Sequence, residues 1–355
     1  MLVAVQVSIC RGGKIVVRTV NSTDRNRILS LMTLLLLSTT ACDQRNINQG
    51  TLSIQSPTVQ NVKSTPPEQS NKIKVVTTFL PVYLFTKAVT GEVADVEILI
   101  PPGTDVHEYQ ATPDNVKAIA TAKVLVKNGL GVEEFLTDTI KNAQNSQLIQ
   151  IDTSKGIQVV SEISPVEQLA GGKKAHDHNH NHGHTHTGGN PHIWLDPVLA
   201  KQQIINIRDG LIKADPVNKS TYQTNAAAYI QELEKLDNEF QQTLKQTPNC
   251  TFITFHDAFP YLAKRYNLKQ VAVVALPEDQ LSPADVQKAV NAVKKYQVKA
   301  LFSEPGVDNK LLSSLSEDLK LNLQTLDSLE AGQTEPKYYF QVMKTNLQTL
   351  VNGCK

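Results

Sequence analysis

Histidine is the residue type that defines the chemistry open to this chain. Residues 176–194 read HDHNHNHGHTHTGGNPHIW and hold seven of its nine histidines. Six of them, His176, His178, His180, His182, His184 and His186, alternate with Asp, Asn, Gly and Thr. Such a run has no apolar face to bury, so it is expected to be a solvated, disordered loop over 173–189. Neutral imidazole is a common metal ligand and suits Zn, Cu and Ni. The alternation therefore points to metal, with an incidental polar linker as the plainer alternative.

Three histidines stand apart from the alternation. His107 lies in PPGTDVHEY, His192 in NPHIWLDP, and His256 at the end of TFITFHDAF. Each follows a strand-like run or sits in a loop beside a turn. Ligands of open α/β sheets bind beyond the carboxyl ends of strands, so three separate segments can converge there. Asp327, ending LQTLD, is placed by the same logic. Zinc takes four tetrahedral N, O or S ligands, and three histidines with one carboxylate would complete that set. Taken singly, a strand-end histidine is more often a hydrogen-bonded structural residue. Joint placement beside the His-rich run shifts that balance.

The elements that must position these residues read as an α/β protein with parallel sheets. The sequence predicts strands at 72–79, 93–100 and 124–127, and helices at 113–120 and 132–142. Thr112 is a good N-cap with Pro113 at the first helical position. Asp196-Pro197 is a second start of this kind. Helical spacing then runs to Ala214 and again over 220–245, the latter polar on most faces and long. A second βα series follows: strands at 251–255, 271–275, 300–302 and 323–326, a helix at 283–296 capped by Ser282, and a closing helix at 336–351. Alternation of strand and helix implies parallel pairing. The expected organisation is a targeting segment over 1–41, a disordered tether over 42–71 and an N-terminal α/β lobe over 72–198. A helical connector over 199–248 and a C-terminal α/β lobe over 249–355 complete it, with a cleft between the lobes.

The chain begins as an exported protein would. Arg25 and Arg27 precede an apolar run, 28–37, that is too short to span a membrane. Thr39-Thr40-Ala41-Cys42 follows, and a Cys after a small residue resembles a lipoprotein cleavage site. Position 39 departs from the usual Leu, so ordinary cleavage after Ala41 stays open. Lipid on Cys42 and a Gln/Asn/Ser/Pro tether would let the domain stand off a membrane. Cys250 and Cys354 remain in an oxidising compartment, where a disulfide between them is plausible beside two independent thiols. Net charge is +1, and residues past 41 carry 30 basic against 33 acidic side chains. Nothing in that balance suggests nucleic acid.

Six motifs occur in order: PPGTDVHEYQATPDNV, NGLGVEEFL, NPHIWLDP, FITFHDAFPYLAKRYNL, LFSEP and TLDSL. Together they resemble the metal-binding subunits of bacterial ABC importers for zinc and manganese, the zinc type in particular. The resemblance runs from about Lys72 to the C-terminus. It implies two α/β lobes joined by a long rigid helix, with the metal held between them. It implies Zn2+ as transported ligand, a membrane permease as partner, and a monomer. By motif, His107, His192 and His256 are the ligands, and Asp327 matches a fourth, carboxylate position. Val106 departs from members that have Glu before the first histidine. Manganese-type members often have Glu at the position of His256, and a nitrogen-rich site favours zinc. Glu108 and Asp257, each following a ligand histidine, could orient imidazoles or simply face solvent. Trp194 is expected at the lobe interface, Asp196 as a helix cap, and Glu304 has no evident role. The rival functions are a zinc hydrolase, lacking HExxH and an evident general base, a manganese-type binder, a metal-dependent adhesin and a metal store.

Overall fold

The computed structural model describes residues 4–10, 14–20, 72–160, 189–273, 283–305 and 310–355. The chain divides into Met1–Pro66 and Pro67–Lys355. In the first unit, β1 (Ala4–Cys10) and β2 (Lys14–Val20) pair antiparallel as a hairpin, where no strands are expected from sequence. The apolar run 28–37, Cys42, the tether to Asn71 and the histidines from His176 to His186 lie outside the described residues.

The second unit carries two four-stranded parallel sheets. The first sheet is built from β3 (Ile73–Thr77), β4 (Ala94–Ile98), β5 (Val124–Lys127) and β6 (Ile149–Asp152), in the order β4-β3-β5-β6. The second is built from β7 (Thr251–Thr254), β8 (Lys269–Ala272), β9 (Ala300–Ser303) and β10 (Leu323–Thr325), in the order β10-β9-β7-β8. Within each lobe the first strand is flanked by the second and the third, so the two lobes share one topology. The strand order reverses beside β3 and beside β7, which opens a crevice at their carboxyl ends.

Local chemistry sets the helix starts. Helix α1 (Leu80–Thr90) begins with Pro81 and stops at Gly91, whose φ is +53°. Helix α2 (Pro113–Thr121) starts at a full capping box between Thr112 and Asn115. Helix α3 (Leu136–Ala143) starts four residues later than the sequence predicts. Leu130 has a φ of 60° and Gly129 and Gly131 are also left-handed, and the chain goes on turning through 135 before the helix begins. The buried Glu133 holds this turn, accepting from the backbone N–H groups of Asn128 and Gly129 and from the Thr78 hydroxyl. Gly129 is required there, because a Cβ would come within 2.4 Å of the Asp152 carboxylate.

Helix α4 (Pro197–Ala214) packs on the first sheet through Ile204, Ile207 and Leu211. Its Gln203 bonds to Asn128 and Thr153 beneath it. Helix α5 (Lys219–Leu244) is 26 residues, or about 39 Å at the usual rise. The sequence reads it as polar on most faces. The structure shows a continuous buried stripe of Tyr222, Ala226, Tyr229, Leu233, Leu236, Phe240 and Leu244, at steps of three and four residues. Tyr229 meets Phe85 of the first lobe, and Phe240 lies 5.0 Å from Tyr266 of the second. Replacing Phe240 by Ala would cost about 3–5 kcal/mol.

The second lobe adds α6 (Pro260–Arg265), α7 (Pro283–Tyr296), α8 (Lys310–Leu319) and α9 (Tyr338–Cys354). Cys250, just before β7, is disulfide-bonded to Cys354 at the end of α9. Ser282 lies outside the described residues. One hydrophobic core runs through both lobes, from Val75 and Phe85 through Trp194 and Phe240 to Phe252 and Phe302. Trp194 is fully buried, with its indole N–H donated to the Ser328 carbonyl and its ring edge-on to Phe79.

Candidate metal centre

Four side chains from four loops meet at the carboxyl ends of the two sheets. His107, His192, His256 and Glu330 each offer one ligand atom, and these atoms lie within 4.8 Å of one another. His107 follows β4, His192 precedes α4, His256 follows β7 and Glu330 follows β10. The three imidazoles are buried. Their ring centroids are 5.0 Å apart for His192 and His256, 5.5 Å for His107 and His192, and 6.1 Å for His107 and His256.

Each imidazole is aimed by its surroundings. The His107 backbone N–H donates to the Asp105 carboxylate at 2.8 Å, fixing the loop that carries the ring. Asn190 Oδ1 lies 3.0 Å from His192 Nδ1 and also accepts the His192 backbone N–H. Asn190 is itself anchored, since its amide donates to the Asp257 carbonyl and its own carbonyl accepts from the Tyr261 hydroxyl. Glu304 grips His256 twice, through the ring Nδ1 and the backbone N–H. With both Nδ1 atoms engaged, the Nε2 atoms of His192 and His256 face each other at 3.2 Å. Hydrogen bonds of this kind fix the tautomer and direction of metal-binding histidines.

The donor set fits a zinc-sized cation. Tetrahedral zinc with bonds of about 2.0–2.1 Å sets its ligand atoms about 3.3 Å apart. The His192 and His256 nitrogens already have that spacing. Glu330 Oε1 is 3.8 Å from His192 Nε2 and has no hydrogen-bond partner among the described residues. Small movements of His107 and Glu330 would close the tetrahedron.

The electrostatics point the same way. Burial disfavours a charged His256, but the charge and hydrogen bond of Glu304, helped by Glu330 and Asp257, outweigh it and push the imidazole up to about 9. Glu330 is pushed up to about 8, chiefly by burial, against the pull of His256. A cluster that gathers protons so readily is one in which a divalent cation relieves both burial and mutual repulsion.

The sequence-derived set is thus mostly brought together. Asp327 is not one of the four. It lines the adjoining cavity of about 190 Å³ with Asp105, Glu304 and Glu330. Its carboxylate accepts from the Leu329 backbone N–H, and burial raises its pKa. Glu330, three residues on, brings its carboxylate to the three imidazoles instead. Leu329 has a φ of 67°, and this reversal turns Glu330 back toward the histidines. Glu108 is exposed, whereas Asp257 is buried and its carbonyl serves Asn190. Asn190 orients His192 and Glu304 orients His256. Asp196 caps α4 at Val198 and Leu199 and is also bound by Arg265.

Residues 75–353 match the family described as zinc-uptake complex component A, periplasmic. The high-affinity zinc uptake system protein ZnuA of Bacillus subtilis is 34% identical over 296 residues, covering 82% of this chain and 90% of that protein. Zn(II)-bound AdcA from Streptococcus pneumoniae superposes with a TM-score of 0.65 at 31% identity, over 80% of this chain and 58% of that one. The chain thus spans little more than half the length of AdcA. The laminin-binding protein Lmb of Streptococcus agalactiae, described as bifunctional with adhesin and metal transporting activity, superposes with a TM-score of 0.67. That match is 30% identical and covers 80% of this chain and 100% of the other.

Proposed function

As the chain belongs to the family of zinc-uptake complex component A, we propose that it captures Zn2+ outside the cytoplasmic membrane and delivers it to the permease of an ABC importer. The observation that carries this reading is the convergence of three imidazoles and one carboxylate from both lobes. His107, His192, His256 and Glu330 are the ligands in this reading. An N3O set favours zinc over manganese, which prefers oxygen donors. Binding and release suffice for the task, and no turnover of a second substrate is required.

Two further parts of the reading concern residues outside the described ones. Cys42 carries a lipid that tethers the domain to a membrane. The support is the Arg-flanked apolar run ending at Ala41-Cys42. Labelled fatty acid should enter the wild type and not Cys42→Ala, and an unlabelled wild type would favour ordinary secretion. The histidines from His176 to His186 act as an accessory collector that raises the local metal concentration near the cleft. Deleting 173–188 should abolish weak additional binding and spare one tight zinc.

Calorimetric titration of the metal-free protein tests the central reading. One tight Zn2+ per chain is expected, with Mn2+ bound more weakly. Equal affinity for the two metals, or no tight site, would overturn it.

A further inference from the structure

A groove of about 950 Å³ opens beside the metal centre and belongs to none of the roles above. One wall is the loop from Val106 to Thr112, which carries His107. The other is α3 and the residue before it, with Phe135, Asp138 and Asn142. Its apolar part includes Val116 and the rings of Tyr109 and Phe135, which meet edge-on at 5.0 Å. Its rim is acidic, because Glu108, Glu134 and Asp138 are all exposed there. The lysine among the lining residues, Lys117, is paired with Asp114 at 2.9 Å.

The chemistry complementary to such a surface is a cationic side chain with an apolar neighbour. Arginine meets both demands, since its guanidinium pairs with carboxylates and stacks on aromatic faces. The groove also opens at the strand ends where the metal sits, the end from which delivery must occur. Its loop wall touches the metal centre on the other side. His107 projects from it, and Gly103 just before it donates its N–H to the carbonyl of Glu330 at 3.0 Å. A group inserted between this loop and α3 would therefore pull on two of the four ligands.

We propose that this groove is the docking surface for the membrane permease, entered by an arginine- or lysine-bearing segment of that partner, and that occupation loosens the His107 loop for metal release. The proposal rests on the import reading. Contact and release are joined in one element, because the loop that forms the groove also holds a ligand. Charge complementarity at such rims chiefly sets encounter rate and partner choice.

Zinc uptake by cells that lack the chromosomal copy, supplied with the full chain and its own permease, tests this. Asp138→Lys reverses an exposed rim charge and, at a surface helix position, should fold normally. It should cut uptake from scarce zinc at least tenfold while the zinc Kd of the isolated variant stays within twofold. Asp138→Asn should fall between it and the wild type. A photocrosslinker at the exposed Asn142 should label the permease, and one at Val217, 91% exposed and outside the groove, should not. Full uptake with Asp138→Lys in cells whose deletion strain is deficient would overturn the docking proposal alone. A deletion strain with unaltered uptake would overturn the import reading and the docking with it. A crosslink from position 142 to the chain's own residues 161–188 would mean that the groove is self-occupied, and would also overturn it.

Discussion

His256 and Glu304 form a doubly bonded pair at the heart of the site. One carboxylate oxygen lies 2.5 Å from the imidazole Nδ1 and the other accepts the His256 backbone N–H at 3.1 Å. Both side chains are buried. This arrangement leaves the imidazole one open nitrogen and one direction in which to use it.

Glu304→Gln should weaken zinc binding by about 10–100-fold, the usual cost of losing a carboxylate behind a ligand histidine. The fold should persist, because the amide keeps the volume and the backbone contact. Calorimetry at constant pH reads the change. An unchanged Kd would show that His256 needs no orientation.

The ligands themselves should cost more. His107→Ala, His192→Ala and His256→Ala should each lower zinc affinity by at least about 100-fold, the upper end of the effect of an outer partner. Glu330→Ala should act in the same sense, while Asp327→Ala should change the Kd only a few-fold. The two acids are thereby separated by one competition assay with a zinc chelator. Equal losses at both would return Asp327 to the ligand set.

Protons and zinc compete for one cluster, so pH should move the metal-free and metal-bound proteins in opposite directions. Both His256, at about 9, and Glu330, at about 8, are raised above their unfolded values. A raised group stabilises the fold below its unfolded pKa and loses that contribution as pH rises through the folded value. The metal-free protein should therefore lose stability between about pH 4.5, the unfolded value of Glu330, and pH 9, the folded value of His256. Zinc needs the deprotonated ligands, so its affinity should rise over the same interval. Melting temperatures with and without Zn2+ across this range should diverge. A zinc-induced shift that is constant with pH would contradict the assignment.

Glu133 offers a test of the turn that delays α3. Removing its carboxylate leaves two buried backbone N–H groups without acceptors, at about 1–3 kcal/mol each. Glu133→Ala should lose about 2–6 kcal/mol in a denaturant titration, and Glu133→Gln less. Burial pushes this carboxyl up to about 7, against its three hydrogen bonds. Its contribution should thus be fully present below about pH 4.5 and lost as pH rises through 7. A Glu133→Ala variant as stable as the wild type would remove the turn's keystone.

The disulfide should matter to the second lobe. Cys250 and Cys354 are 104 residues apart, and closing so long a loop is worth about 4–5 kcal/mol by chain entropy. Cys354→Ser should lower the unfolding free energy by an amount of that order, with little effect on zinc affinity. A large loss of affinity would mean that α9 positions ligands as well.

Much of this was legible because it is written locally. Thr112-Pro113 and Asp196-Pro197 carry their helix starts in two residues each, and residues 124–126 are apolar and buried because β5 is internal to its sheet. The edge strand Ile149–Asp152 escaped notice, since IQID alternates burial over only four residues. Helix α8 escaped too, its apolar face being short and interrupted by serines. At the centre, three histidines could be named from strand-end position and motif. The carboxylate that joins them could not, because TLDSLE offers two acids and only the left-handed turn at Leu329 decides which one meets the histidines. Glu304 was visible as a residue and invisible as a partner, being 48 positions from His256.

The shared core under α5 has a consequence for how the protein would look in solution. A helix whose apolar stripe continues unbroken from Tyr222 to Leu244 offers no joint, and separating the lobes would strip Phe85, Trp194 and Tyr339 of their neighbours. Cargo exchange must then be a matter of loops. Small-angle scattering should record nearly the same radius of gyration with and without metal, while hydrogen exchange should differ at 101–112 and 327–332. Such a carrier signals its load through the stiffness of its rim rather than through its outline.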